Sequence, residues 1–152
     1  MAIGKNTGAT FGTVATLPTT YDDNATTGYA SLTFVDCGEV VEHSEVGRVW
    51  ALATHQAVGR EYPNKIKDTY DIPNITLTLG RNTSDAGQVL LQAAEAASAS
   101  YSFEVELPNG NQMYFTGKVL KCGLGAVAVG SVSQTMVEIA VDPETLFADE
   151  AA

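Results

Sequence analysis

Residues 101–119 read YSFEVELPNGNQMYFTGKV, and this stretch decides the fold class. Tyr101, Phe103, Val105 and Leu107 alternate with Ser102, Glu104 and Glu106, the period of two that a strand with one buried face requires. Pro108 to Asn111 supply a turn, and Asn109-Gly110 is the dipeptide that accepts the positive φ angles of a tight hairpin. Gln112 to Lys121 then returns, with Met113, Phe115 and Val119 on one face and Tyr114, Thr116 and Lys118 on the other. An antiparallel hairpin is predicted, and a lone hairpin is at best marginal in water, so more sheet must surround it.

The flanking residues supply that sheet. Downstream, the glycine-rich connection CGLGAVAVG (122–130) leads to a last strand from Ser131 to Val141, where Val137, Ile139 and Val141 alternate with Glu138. Upstream, Ile75, Leu77 and Leu79 alternate with Thr76 and Thr78, all residues of good strand propensity. Between these strands and the hairpin lies the single helix, predicted over about 85–97. Its apolar face is read as Ala86, Val89, Leu90, Ala93, Ala94 and Ala97, with Asp85 and Gln88 forming a capping box. Early strands are expected at 31–36, 38–41 and 48–54. The Thr- and Gly-rich segment 1–30 is read as an arm that orders against a neighbour. Residues 54–74, with Pro63, Pro73 and no regular period, are read as a long inter-strand loop, and residues 142–152 as a mobile acidic tail. The sum is one domain over 1–152, mainly β: an antiparallel sandwich or barrel flanked by one helix.

Charge narrows the function. Eighteen acidic residues against eight basic ones give a net charge of −10. Proteins that grip nucleic acid offer Lys and Arg to phosphates, so this balance argues against a nucleic-acid binder. Local chemistry is sparse. His43 and His55 are the only histidines, and a metal site at His43 is disfavoured because the adjacent Glu42 points to the opposite strand face. The run GLGAVAVG has the wrong spacing for a dinucleotide fingerprint and precedes a strand. Cys37 and Cys122 are too few for a disulfide scaffold and are read as buried structural thiols, with a bridge formed after release into an oxidising medium as the alternative. No catalytic or metal-binding residue is expected, no cofactor, and no enzyme activity. No stretch has the roughly 20 apolar residues of a membrane-spanning helix. The first twelve residues carry no secretory pattern, so a cytoplasmic origin is expected.

The order of elements from DIPNITLTL (71–79) through SDAGQVLL (84–91), FEVELPNG (103–110) and YFTGKV (114–119) to Val141 resembles the tail tube proteins of long-tailed bacteriophages. Type VI secretion tube proteins share that architecture. The resemblance implies a β-sandwich with one helix that assembles into hexameric rings, stacked into a hollow tube through which the genome is ejected. It implies other copies of itself as the main partner, then tape measure, terminator, and baseplate or tip proteins. It also implies a place in the virion, with assembly in the host cytoplasm and no membrane contact. Candidate lumen-facing acids are then Asp36, Glu39, Glu42, Glu104, Glu106 and Glu138, past which DNA moves without being held. The inter-subunit or inter-ring loop would use Arg60, Tyr62, Lys65, Lys67, Asp68 and Tyr70. A tail terminator, a secretion tube subunit and a monomeric β-sandwich binding module are the alternatives.

Overall fold

The computed structural model describes residues 9–149 except Glu39, Glu45, Thr83 and residues 109–111. Its strands are β1 (Thr10–Val14), β2 (Val35–Cys37), β3 (Val40–His43), β4 (Val49–His55), β5 (Asn64–Asp71), β6 (Ile75–Gly80), β7 (Tyr101–Glu106), β8 (Gln112–Leu124), β9 (Gln134–Val141) and β10 (Phe147–Asp149). One α-helix, α1 (Ala86–Ala96), stands between β6 and β7. The fold is mainly β and antiparallel with one helix, as the alternation predicts. The Asn109-Gly110 turn itself lies outside the described residues. No helix among those described is long and apolar enough to cross a membrane.

The main sheet runs β2-β1-β7-β8-β9-β6-β3, with β10 also pairing β8. β2 and β3 end this path, yet they are separated in the chain only by Gly38 and Glu39. One kinked stretch of chain therefore serves both ends and turns the sheet back on itself. β8 makes the opposite corner: residues 112–117 pair with β7, and residues 117–124 pair with β9. Register shifts at Val40/Glu42 and Val119/Lys121 fall in these two strands. Bulges of this kind bend a strand from one layer into the next.

The core fills the space enclosed. Phe11, Phe103 and Phe115 come from one half of the sheet, with the Phe103 and Phe115 ring centroids 5.3 Å apart. Ile75, Leu77, Leu79, Val137 and Ile139 come from the other half, each at most 1% exposed. Burying each such side chain contributes about 1.5–3 kcal/mol.

Helix α1 begins at Asp85, whose carboxylate accepts from Gln88 N at 3.1 Å and from Gly38 N at 3.0 Å. Gln88 does not reach back to the cap as a capping box requires. Its side chain instead donates to Gly80 O at 2.8 Å and more weakly to Gly38 O at 3.4 Å. The helix start thus supplies partners to the backbone exactly where β2 passes into β3, so the sheet corner and the cap stabilise one another. A Cβ on Gly87 would lie 2.6 Å from Cys37 Cα and 2.7 Å from Asp36 O, so only glycine lets the helix sit this close.

That close approach rotates the helix away from the predicted face. The buried positions are Gly87, Gln88, Leu91 and Ala94. Of the predicted face Ala86, Val89, Leu90, Ala93, Ala94 and Ala97, only Ala94 is buried; Leu90 is half-buried and Ala86, Val89, Ala93 and Ala97 are exposed. Ranking by hydrophobicity overlooked that a glycine and a hydrogen-bonded glutamine can face inward.

Three expected irregular segments also carry structure. Residues 54–74 hold β5, which pairs with β4 as a separate two-stranded sheet. β5 has no face against the core, so its sequence lacks the one-sided alternation that marks a half-buried strand. Within 1–30, β1 lies between β2 and β7. Residues 19–31 are then held by side-chain turns: Asp22 Oδ1 accepts from Asn24 N and Asn24 Oδ1 accepts from Thr26 N. Tyr29, fully buried, stacks on Tyr114 with centroids 5.1 Å apart and donates to Thr145 O at 2.7 Å. In the expected tail, a 3-10 turn at Pro143–Thr145 leads into β10 on β8.

Candidate assembly surfaces

The β4–β5 hairpin is the least protected element of the chain. All residues of its two strands are exposed except Tyr70, which is half-buried. Val49, Trp50, Leu52 and Ile66 are 44–61% exposed. Among the described residues neither strand pairs with anything but the other, so each presents an open outer edge.

Charge is unevenly distributed over the molecule. Four of the eight basic residues (Arg48, Arg60, Lys65, Lys67) and three of the eighteen acids (Glu61, Asp68, Asp71) lie between 48 and 71. That segment carries a net +1, and the rest of the chain −11. Register places Leu52 beside Lys67, Thr54 beside Lys65 and Trp50 beside Tyr70. Lys67 Nζ lies 5.3 Å from the Trp50 ring centroid and Arg48 Cζ lies 5.1 Å from that of Tyr70, within cation–π range. Lys65, Lys67 and Tyr70 are candidates on the sequence alone; Arg48, Trp50 and Leu52 are not. The signal available was VWALA (49–53), apolar at successive positions and so lacking a polar face.

At the tip, Arg60 N donates to Ala57 O at 3.2 Å, and the Gln56 side chain donates to Arg60 O at 2.8 Å. Gly59 holds φ +89°, the left-handed geometry that glycine tolerates. Val58 is fully exposed and Tyr62 is 66% exposed. Arg60 and Tyr62 stand at the tip, while Lys65, Lys67, Asp68 and Tyr70 run along β5. At the root, Trp50, Thr69 and Tyr70 form a cleft with Asp142, Pro143 and Glu144 of the turn after β9.

The predicted lumen acids divide into two groups. Asp36 and Glu104 flank Gly12 in register, and Glu106 lies two residues along β7, all on the face opposite the core. Glu104 is pushed up to about 7, chiefly by burial and then by the neighbouring charges of Glu106 and Asp36. Glu138 and Glu42 belong to the other half of the sheet, where Glu138 stands beside Thr76 and Lys121 and Glu42 beside Thr78. The Glu138 carboxylate accepts from Asn74 Nδ2 at 3.0 Å. Glu39 lies outside the described residues.

No family model matches this sequence, and no curated protein matches it. Structure reveals what sequence does not: the fold matches a chain of the anti-feeding prophage baseplate, seen by cryo-EM with 6-fold symmetry, at a TM-score of 0.60. The match covers 93% of this chain and 92% of that one, at 9% identity. The likeness is one of fold. Coverage that broad takes in most of the first 70 residues as well as the second half, where the sequence resemblance was carried.

No group of three or more His, Cys, Asp or Glu side chains among the described residues is arranged to hold a metal ion. Both cysteines are free thiols. Burial pushes Cys37 up to about 12, and it raises Cys122 as well.

Proposed function

We propose that this chain is a non-catalytic structural subunit of a phage tail-type particle that self-associates into rings, six-membered by resemblance, stacking into a hollow tube. The observation that carries this reading is the β4–β5 hairpin. A two-stranded ribbon with no core beneath it is marginal in water, and open edges bearing apolar side chains invite pairing with another chain. Edge-to-edge addition of this hairpin to a neighbour's sheet turns that liability into the assembly mechanism. A ring built in this way uses a different surface on each side of the subunit, which is the heterologous geometry that closes into cycles.

In this reading the −11 charge outside the hairpin serves passage of DNA. Carboxylates lining a channel repel the phosphate backbone and offer it no counterion-releasing contact. Asp36, Glu104 and Glu106 form one candidate lining set, and Glu42 and Glu138 another. No cofactor is required. Other tail proteins meet the ends of the tube, and the assembled particle leaves the host cytoplasm as a virion. A second reading, a ring component of a baseplate, is favoured by the identity of the structural neighbour.

Deletion of residues 56–63 with a short turn joining β4 to β5, and separately of the whole hairpin 49–71, tests the reading by sedimentation velocity. The full chain is expected to form species larger than dimers, and the hairpin-less chain to stay monomeric with the thermal transition of the core retained. Equal assembly by the hairpin-less chain would refute the proposed role of the hairpin.

A further inference from the structure

The tip and the root of the hairpin are complementary to each other, and one molecule cannot bring them together. β4 spans seven residues, about 23 Å at roughly 3.3 Å per residue, so a molecule's own tip stands far from its own cleft. The cleft has apolar walls from Trp50, Tyr70 and Pro143 and two carboxylates, Asp142 and Glu144. Neither carboxylate side chain has a hydrogen bond or ion pair among the described residues. Lys67 does not line the cleft, but its Nζ lies 5.3 Å from the Trp50 ring that forms one wall, so a cation stands beside the two carboxylates' apolar neighbour.

The tip matches that pattern. Val58 is a fully exposed apolar side chain, Arg60 an exposed cation, and Glu61 an exposed anion beside it. The two hydrogen bonds across residues 56–60 fix the turn that presents them, which lowers the ordering cost of docking.

We propose that the hairpin tip of one copy seats in the root cleft of a second copy, with Arg60 meeting Asp142 and Glu144, and Glu61 meeting Lys67. The inference rests on the self-assembly reading and adds to it a specific acceptor. Because tip and cleft are different surfaces, each docked copy offers a free tip or a free cleft to the next, and the contact propagates. Val58 leaves water against the rings of Trp50 and Tyr70, while the carboxylates give the incoming guanidinium its partners.

The test is a charge swap in the full chain, followed by sedimentation velocity across concentration. Arg60→Glu alone, and Asp142→Arg with Glu144→Arg, are each expected to raise the concentration for half-assembly by about tenfold or more, as is typical for coupled charge pairs at an interface. Combining all three substitutions is expected to restore assembly to within about threefold of the original chain, the coupling that a direct contact produces. Contact is read independently by mixing Arg60→Cys with Glu144→Cys proteins, each carrying Cys122→Ser, and oxidising; a disulfide between the two different proteins is expected.

Failure of the combined variant to recover, unperturbed assembly by either charge variant, or absence of the mixed disulfide would overturn the contact. Assembly that stops at a reciprocal dimer would overturn its propagation. If the unmodified chain stays monomeric at every concentration, the self-assembly reading itself fails, a result distinct from assembly that ignores these charges.

Discussion

Substituting Leu91 by alanine separates the observed helix orientation from the one its sequence suggests. Leu91 is fully buried within the continuous core, whereas Val89, two positions away, is 50% exposed. Deleting a buried leucine side chain down to Cβ costs about 2–5 kcal/mol, the spread reflecting how far the cavity collapses. The helix is held by the close approach of Gly87 to Cys37 and Asp36, which limits its inward movement and favours the upper half of that range. A domain of this size has roughly 5–15 kcal/mol of stability, and each kcal/mol shifts its Tm by about 2–4 °C. Leu91→Ala should therefore lower Tm by roughly 7–20 °C. Val89→Ala loses little burial and gains helix propensity, so it should stay within about 0.5 kcal/mol of the original chain. Urea unfolding followed by circular dichroism, at concentrations where the protein sediments as a monomer, measures both. A larger loss for Val89→Ala than for Leu91→Ala would refute the helix orientation.

Two further perturbations probe the surface and the thiols. Glu104 is raised to about 7 in the folded chain, so between its ordinary carboxylate range and pH 7 the folded state holds a proton that the unfolded state releases. Its contribution is therefore most favourable at low pH and is lost as pH rises through 7, and Glu104→Gln should raise Tm more at pH 8 than at pH 5; an equal or opposite difference would contradict the clustering of Glu104 with Asp36 and Glu106. Cys37 is 6% exposed and pushed up to about 12, whereas Cys122 is half-buried, so a thiol reagent should label Cys122 first and Cys37 only on unfolding. Rapid labelling of Cys37 in the folded protein would place the β2 corner wrongly.

The sequence makes legible the elements that bury one face. Ile75 to Leu79, Tyr101 to Val105 and Val137 to Val141 alternate because one side of each meets the core, and all three are strands, although Thr78 and Ser102 on the other side are buried as well. The helix was visible by its period and its Asp85 cap, but not its orientation, because Gly87 and Gln88 face inward for reasons of close approach and hydrogen bonding rather than hydrophobicity. Tyr114 and Thr116, read as outward-facing, are buried by a second layer, since Tyr29 stacks on Tyr114 and the Thr145 hydroxyl accepts from Thr116 N. Nothing in the period of β8 reports that covering. The hairpin was half legible: its cations and Tyr70 stood out, but β5 has no buried face and so no alternation. Its cleft with Asp142 and Glu144 joins residues about 70 to 95 positions apart, a proximity that no local pattern contains.

The most direct test of self-assembly is electron microscopy of the purified full chain, in negative stain, over a concentration series and after prolonged incubation. Hollow rings or tubes of uniform diameter, absent when the hairpin 49–71 is removed, are the expected result. Compact single subunits at every concentration would contradict the account.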